Sequence, residues 1–210
     1  MRLVLASTSP RRRELLALLQ IPFEVATPVF QEHVQPGLPP LEQVREFAEG
    51  KARSCEDRFP ASLILGSDTL IVIDSEVLGK PASEAEAADM LRRLSGREHV
   101  IHTAVALNRT ADKRWTTAVE TVRVWLRVLS DAEIDRYIRT GESMGKAGAY
   151  AIQGRGGHLI DRIEGDFTAA VGLPLRRVAA MLGENGLHVP IDLEAVYSTK
   201  PYPNWNRFVP

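Results

Sequence analysis

A short apolar run, Leu3-Val4-Leu5-Ala6, predicts a strand, and Ser7-Thr8-Ser9-Pro10 after it predicts a tight turn into a helix. Ser9 suits the N-cap and Pro10 the first helical position, where a missing N–H costs nothing. That helix is expected to reach about Gln20, with a second short strand over 21–25 and a proline-bearing loop over 28–40. Over 41–59, Val44, Phe47, Ala48, Ala52 and Cys55 recur at helical spacing, and Lys51 falls on the same inward face. Residues 63–73 are apolar with little alternation, the pattern of a central strand buried on both faces, and Asp68 sits in its middle.

The second half alternates more. Residues 77–81 predict the return of a hairpin. Ser83-x-x-Glu86 and Ser130-x-x-Glu133 have the spacing of capping boxes, opening helices that end near Leu94 and Thr140. Residues 100–108 and 115–129 predict antiparallel strands, with Val122, Val124, Leu126 and Val128 on one face of the second. A glycine-rich strand carrying Gln153 is expected over 147–154, then a strand over 158–163. Gly172-Leu173-Pro174 opens a last helix to about Leu182, and 188–210 predict an irregular tail on the surface.

Composition narrows the class. A chain of 210 residues, 44% hydrophobic and 25% charged, is an ordinary globular protein of one domain, or one domain with two lobes. A net charge of −1 gives no global reason to bind nucleic acid or a membrane, so any anion site must be local. The single Cys55 excludes an intrachain disulfide and a cysteine-cluster metal site. No apolar run approaches the ~20 residues of a membrane span, and a cytoplasmic protein is expected.

The candidate chemistry lies in charges that break these patterns. Arg11 and Arg12 stand at a helix N-terminus, where cations are mildly unfavourable unless an anion binds there. Lys51 on an apolar face either snorkels at the rim or reaches a buried anion. Asp68 in a buried strand needs a cation or strong donors, unless a turn or bulge takes it out of the core. With Glu32 in the loop, Lys80 after a glycine and Gln153, these are four cations, two carboxylates and an amide where burial would forbid unpaired charge. A triphosphate with a divalent metal supplies both signs.

Five ordered motifs carry a resemblance over roughly residues 3–187. They are Ser7-x-Ser9-Pro10-Arg11-Arg12, Gly66-Ser67-Asp68-Thr69, Gly79-Lys80-Pro81, Lys146-Ala147-Gly148-Ala149-Tyr150-Ala151-Ile152-Gln153-Gly154 and Val171-Gly172-Leu173-Pro174-Leu175. Together they resemble the Maf family of nucleoside triphosphate pyrophosphatases. The resemblance implies an α/β fold, an elongated two-lobed mixed sheet flanked by helices, like that of inosine triphosphate pyrophosphatases. Residues 1–187 would form this catalytic domain and 188–210 a tail outside it.

The family further implies hydrolysis of a nucleoside triphosphate to the monophosphate and pyrophosphate with Mg2+ or Mn2+. Asp68, Lys80 and Lys51 are its implied catalytic residues, Glu32 and Asp68 its metal ligands. Ser7, Ser9, Arg11, Arg12, Thr69 and Gln153 are its implied substrate contacts. Arg12, Thr69 and Gln153 resemble the branch acting on dTTP and UTP. The alternatives are the branch preferring 7-methyl-GTP and a non-catalytic nucleotide-binding regulator of septum formation. A phosphomonoesterase or nuclease using the same cationic pocket is a further one. A homodimer is a candidate assembly; no nucleic-acid or membrane partner is expected. Two departures stand out: Gly145, where the family often has an acidic residue, and Gly165-Asp166-Phe167, where Gly-Ser-Tyr is commoner.

Overall fold

In the computed structural model, which describes residues 1–208, the first apolar run forms β1 (Arg2–Ala6). It pairs in parallel with β2 (Phe23–Ala26) on one side and β3 (Ser62–Ile73) on the other, so that Val4 faces both Glu24 and Ile64. The helices are α1 (Pro10–Ala17), α2 (Pro40–Arg53), α3 (Glu84–Leu94) and α4 (Asp131–Ile138), followed by α5 (Phe167–Val171), α6 (Leu175–Glu184) and α7 (Leu193–Thr199). The remaining strands are β4 (Glu76–Leu78), β5 (Glu98–Arg109), β6 (Arg114–Leu126) and β7 (Ile160–Glu164). All seven strands make one mixed sheet in the order β2-β1-β3-β5-β6-β7, with β4 paired to β3. The fold is therefore the expected mixed α/β class.

The chain divides into two compact units, and β3, β5 and β6 pass from one to the other at Thr69, His102 and Glu120. The first unit holds residues 1–69, 103–120 and 172–199. Part of its core joins Val4, Ala6, Ala26, Ala52, Cys55 and Ile64, with Phe59 and Trp115 packed against them. Here α2 lies against β3, and Gly66 is what permits the approach: a Cβ there would stand 2.1 Å from the Ala48 carbonyl oxygen. Helix α2 stops at Arg53, short of its predicted end. The Ser54 hydroxyl turns back to donate to the Lys51 carbonyl at 2.8 Å, and Glu56–Arg58 form a separate 3-10 turn.

The second unit holds 70–102, 121–171 and the chain from Lys200. The capping box at Ser130 is complete: its hydroxyl accepts from Glu133 N at 3.3 Å, and Glu133 accepts from Ser130 N at 2.9 Å. At Ser83 only half of it forms. Ser83 Oγ accepts from Glu86 N at 3.2 Å, but the Glu86 carboxylate takes Ala82 N instead.

The stripe predicted along the second long strand loses its last member. β6 ends at Leu126 after a register shift, and Val128 is 81% exposed. The expected strand over 147–154 does not form. Ala147–Ala149 make a 3-10 turn in which Gly148 and Ala149 adopt φ of +63° and +61°, a conformation incompatible with a strand. A second 3-10 turn, Arg155–Leu159, takes up the start of the next predicted strand, so β7 begins at Ile160.

The end of the chain also differs from the irregular surface tail expected over 188–210, of which 209–210 lie outside the described residues. Helix α7 forms in it, with Asp192 accepting from Glu194 N at 3.0 Å and Arg176 pairing with Glu194. Arg176 also stands 4.0 Å over the Tyr197 ring. Beyond α7, Tyr202, Trp205 and Phe208 are buried. Long-range contacts of single side chains make this order, and they leave no periodic pattern.

Candidate functional site

Within the first unit the packing of α2 on β3 decides the position of the buried charges. Lys51 reaches its ammonium to Asp68 Oδ1 and, at 2.6 Å, to Glu32 Oε1. The Lys51 and Asp68 side chains are 9% and 7% exposed, so their pairing offsets a large desolvation cost. Of the two uses open to Lys51, the geometry takes the buried anion. Asp68 is in the strand, with no bulge that removes it from the core. Its other oxygen, Oδ2, is buried with no hydrogen-bond partner.

Arg12 supplies the second cation. From the first turn of α1 its Nε donates to the Gly172 carbonyl at 2.9 Å and its Nη2 to Thr69 Oγ1 at 3.1 Å. The same Nη2 lies 3.9 Å from Asp68 Oδ1. Burial lowers the guanidinium pKa from its ordinary value, and the neighbouring Asp68 charge opposes that shift. Thr69 Oγ1 is also 3.0 Å from Thr103 Oγ1, and Ser67 Oγ donates to the Gly172 carbonyl at 3.0 Å. A Cβ on Gly172 would stand 3.3 Å from Thr69 Oγ1, and its φ of +124° further favours glycine. Arg11 is half-buried and Arg13 exposed, so the helix phase separates the three arginines as their spacing predicts.

The turn before α1 is built differently from the sequence expectation. Ser9 occupies the N-cap and Pro10 follows, yet the Ser9 side chain makes no cap bond. Its N–H instead donates to the hydroxyl of buried Ser7 at 3.2 Å.

Lys80 and Gln153 belong to the second unit. Lys80 follows β4 and is exposed, and Glu32 is 38% exposed in its loop. Neither is therefore the burial-forbidden charge that the sequence suggested; only Asp68, Lys51 and Arg12 are. Gln153 is half-buried in an irregular turn. At Gly145 the backbone has φ +69° on an exposed turn, a conformation open to glycine, and a Cβ there would meet nothing within 4 Å. At the other departure, Asp166 Oδ1 accepts from the N–H and the hydroxyl of Thr168, both at 2.8 Å, capping α5.

The carboxylates can be tested against a divalent metal. Among the described residues no group of three or more His, Cys, Asp or Glu is placed to hold one. A Mg2+-type ion does not require such a cage, since it takes one or two carboxylates and completes its shell with waters and phosphate oxygens. Glu32 and Asp68, joined through Lys51, with the unpartnered Asp68 Oδ2, fit that smaller demand.

Sequence reasoning missed the Gly172 carbonyl, which holds Arg12, and Ser67, which donates to that same carbonyl. Both stood inside recognised motifs, but a backbone carbonyl reached across 160 residues leaves no signal in composition or spacing.

Comparison with known proteins follows these residues. The family model described as Maf-like protein matches residues 2–185. A dTTP/UTP pyrophosphatase of Pelotomaculum thermopropionicum is 46% identical over 187 residues, covering 89% of this chain and 98% of that protein. One of Symbiobacterium thermophilum is 50% identical over 184 residues, covering 88% and 94%. Among solved structures, a HAM1 protein from Coxiella burnetii aligns with 88% of this chain and 99% of its own, at 19% identity and a TM-score of 0.48. With the family model spanning nearly all of the strands and helices that carry the charged cluster, this chain belongs to the Maf family.

Proposed function

We infer that the chain is a nucleoside triphosphate pyrophosphatase that hydrolyses dTTP and UTP to the nucleoside monophosphate and pyrophosphate. The observation that carries this reading is the name borne by relatives of 46% and 50% identity across almost their whole length. The buried Arg12–Asp68–Lys51 cluster supports it chemically. In this reading residues 1–187 are the catalytic portion, and a nucleotide substrate fits action in the cytoplasm. No helix of the described residues is long and apolar enough to cross a membrane.

In this reading Asp68 orients the attacking water and takes its proton as the water oxygen bonds to the α-phosphorus. The bond from that phosphorus to the bridging oxygen breaks, and pyrophosphate leaves. Asp68 Oδ2, buried and without a hydrogen-bond partner, is the oxygen with lone pairs left for such contact. Lys51 pairs with the carboxylate and holds it in place. Arg11, Arg12 and Lys80 bind phosphate oxygens and stabilise charge developing on the leaving group, with Ser7 and Ser9 shaping the turn beside them. Glu32 and Asp68 would hold Mg2+ or Mn2+, which neutralises phosphate charge when bound.

For the base, the Gln153 amide offers one donor and one acceptor, matching the N3–H and O4 edge of uracil or thymine. The Thr69 hydroxyl is engaged by Arg12 and Thr103, so its part is to hold the arginine. A screen of nucleoside triphosphates, with 7-methyl-GTP included and products separated, tests the reading. We expect pyrophosphate release and turnover of dTTP and UTP at least ~10-fold better than dATP or 7-methyl-GTP, about 1.4 kcal/mol in the transition state. Release of free phosphate, or binding without turnover, overturns it.

A further inference from the structure

We propose that the end of the chain, beyond the family match, fixes the Gln153 turn, and that Asn204 is a positioning residue for base selection. The proposal rests on the reading of Gln153 given above. Gln153 sits in the turn 151–157, and three side chains hold that turn by its backbone. Tyr137 Oη accepts from Ala151 N at 3.2 Å. Glu142 accepts from Arg155 N at 3.0 Å and from Gly156 N at 2.9 Å, while Tyr137 Oη donates to it at 2.8 Å. Asn204 Nδ2 donates to the carbonyls of Ile152 at 2.9 Å and Gly154 at 2.6 Å. Those two carbonyls belong to the residues on either side of Gln153.

The glycines of the turn leave room both for these side chains and for its own backbone. A Cβ at Gly154 would stand 2.0 Å from Glu142 Oε1, at Gly156 2.7 Å from Ala151 N and 2.8 Å from Tyr137 Oη, and at Gly157 2.5 Å from Asn204 Nδ2 and 2.6 Å from the Ile152 carbonyl. The turn thus makes room for its own supports, Asn204 included. Asn204 in turn is held in place. Trp205 stacks on Phe167 with centroids 5.5 Å apart, and Phe208 lies on the same ring at 5.8 Å. Asn204 adopts φ +65°, a left-handed conformation that asparagine tolerates better than most residues. All of these groups belong to one unit, whereas the family model stops at residue 185. A single amide donating to both carbonyls ties down the peptide that enters Gln153 and the Gly154–Arg155 peptide beyond it, so the two-residue segment between them is anchored at both ends. A reading glutamine without that support would sample both amide orientations and lose its preference between donor and acceptor edges.

The test uses the full chain. Asn204→Gly removes the side chain without straining the backbone, and Asn204→Asp keeps the shape but replaces the donors with a carboxylate facing two carbonyl oxygens. Both are compared with Gln153→Ala and with the double variants, reading kcat and KM on the best triphosphate and on dATP. The expected result is a loss of about tenfold in the preference, carried by KM more than kcat, from either Asn204 substitution. On the Gln153→Ala background neither should add more than about twofold, because residues acting through one another are not additive. Amide exchange in 151–157 should also quicken in both variants. Unchanged preference, fully additive effects, or unchanged exchange overturns the proposal. The parent reading is judged separately, by which base the wild type prefers. The coupling of Asn204 to Gln153 is measured on whichever substrate wins.

Discussion

Two regions hold their key side chains by opposite means. Around Asp68 the backbone is regular, a strand and two helices, and charged side chains fix one another: Lys51 against Asp68 and Glu32, Arg12 at 3.9 Å from Asp68. Around Gln153 the backbone is irregular, and side-chain hydrogen bonds to main-chain groups hold it, with glycines giving the room. The difference has energetic consequences. Removing Lys51, the close partner of buried Asp68, strands that carboxylate and costs about 3–5 kcal/mol. Removing one hydrogen bond from a turn costs about 1 kcal/mol. The first region should therefore fail abruptly and the second by degrees, a contrast suited to chemistry in one and selectivity in the other.

The largest effect should come from Asp68→Asn. It is nearly isosteric, so the fold should persist while kcat falls about a hundredfold or more. A folded variant with wild-type turnover would take Asp68 out of the reaction. Lys51→Met tests the cluster by stability. It leaves buried Asp68 with Arg12 at 3.9 Å as its remaining cation, and unfolding free energy should drop by about 3 kcal/mol in denaturant titration. Adding Asp68→Asn should recover part of that loss, because the stranded charge is gone. A double variant no more stable than Lys51→Met would mean that packing, and not charge, holds this region together.

Acid should discriminate the regions next. His99 Nε2 lies 2.6 Å from Tyr150 Oη, and Tyr150 leads directly into the 151–157 turn. Burial lowers the imidazole pKa from 6.5 to about 4 and raises that of the phenol, so His99 and Tyr150 pair as neutral groups. Between pH 6.5 and about 4 the unfolded imidazole binds a proton that the folded one refuses. Stability therefore falls as the pH falls through that window. His99→Asn, which does not titrate, should lose less over the same interval in pH-dependent denaturant titrations. Parallel curves would remove His99 from the acid response.

How much of this was legible in the sequence follows the same contrast. The apolar run into Ser9-Pro10, the helical spacing over α2 and the unbroken run around Asp68 are local patterns with a fixed period, and each gave its element. The charged residues of the first region were conspicuous because they violate those periods. The turn around Gln153 was misread as a strand, since its glycines look like close backbone packing when their real partners are Glu142, Tyr137 and Asn204. Those partners come from a helix, a loop and the chain end; they share no repeating period with the turn, and Asn204 lies 50 residues from Gly154. Helix α5, five residues long, is too short to declare a period. α7 depends on Arg176 and Tyr197 meeting across the fold.

The smallest effect concerns which arginine acts. Arg12 and Arg13 are adjacent and identical in charge, so net electrostatics cannot separate them, but the helix places Arg12 against Gly172 and Thr69 and leaves Arg13 exposed. Both of Arg12's partners have a second contact, since Ser67 also bonds the Gly172 carbonyl and Thr103 is 3.0 Å from Thr69. Arg12→Ala therefore strands neither, and its cost in stability should stay near 1 kcal/mol. Its effect should appear in catalysis instead, as a fall in kcat/KM of about tenfold. Arg12→Lys should not restore it, because one ammonium cannot reproduce a planar fork that meets a carbonyl and a hydroxyl at once. Arg13→Ala should remain within about twofold of wild type, the scale of an exposed substitution. Equal losses at the two positions in steady-state kinetics would mean that bulk positive charge near the helix end, rather than the geometry held by Gly172 and Thr69, is what the substrate requires.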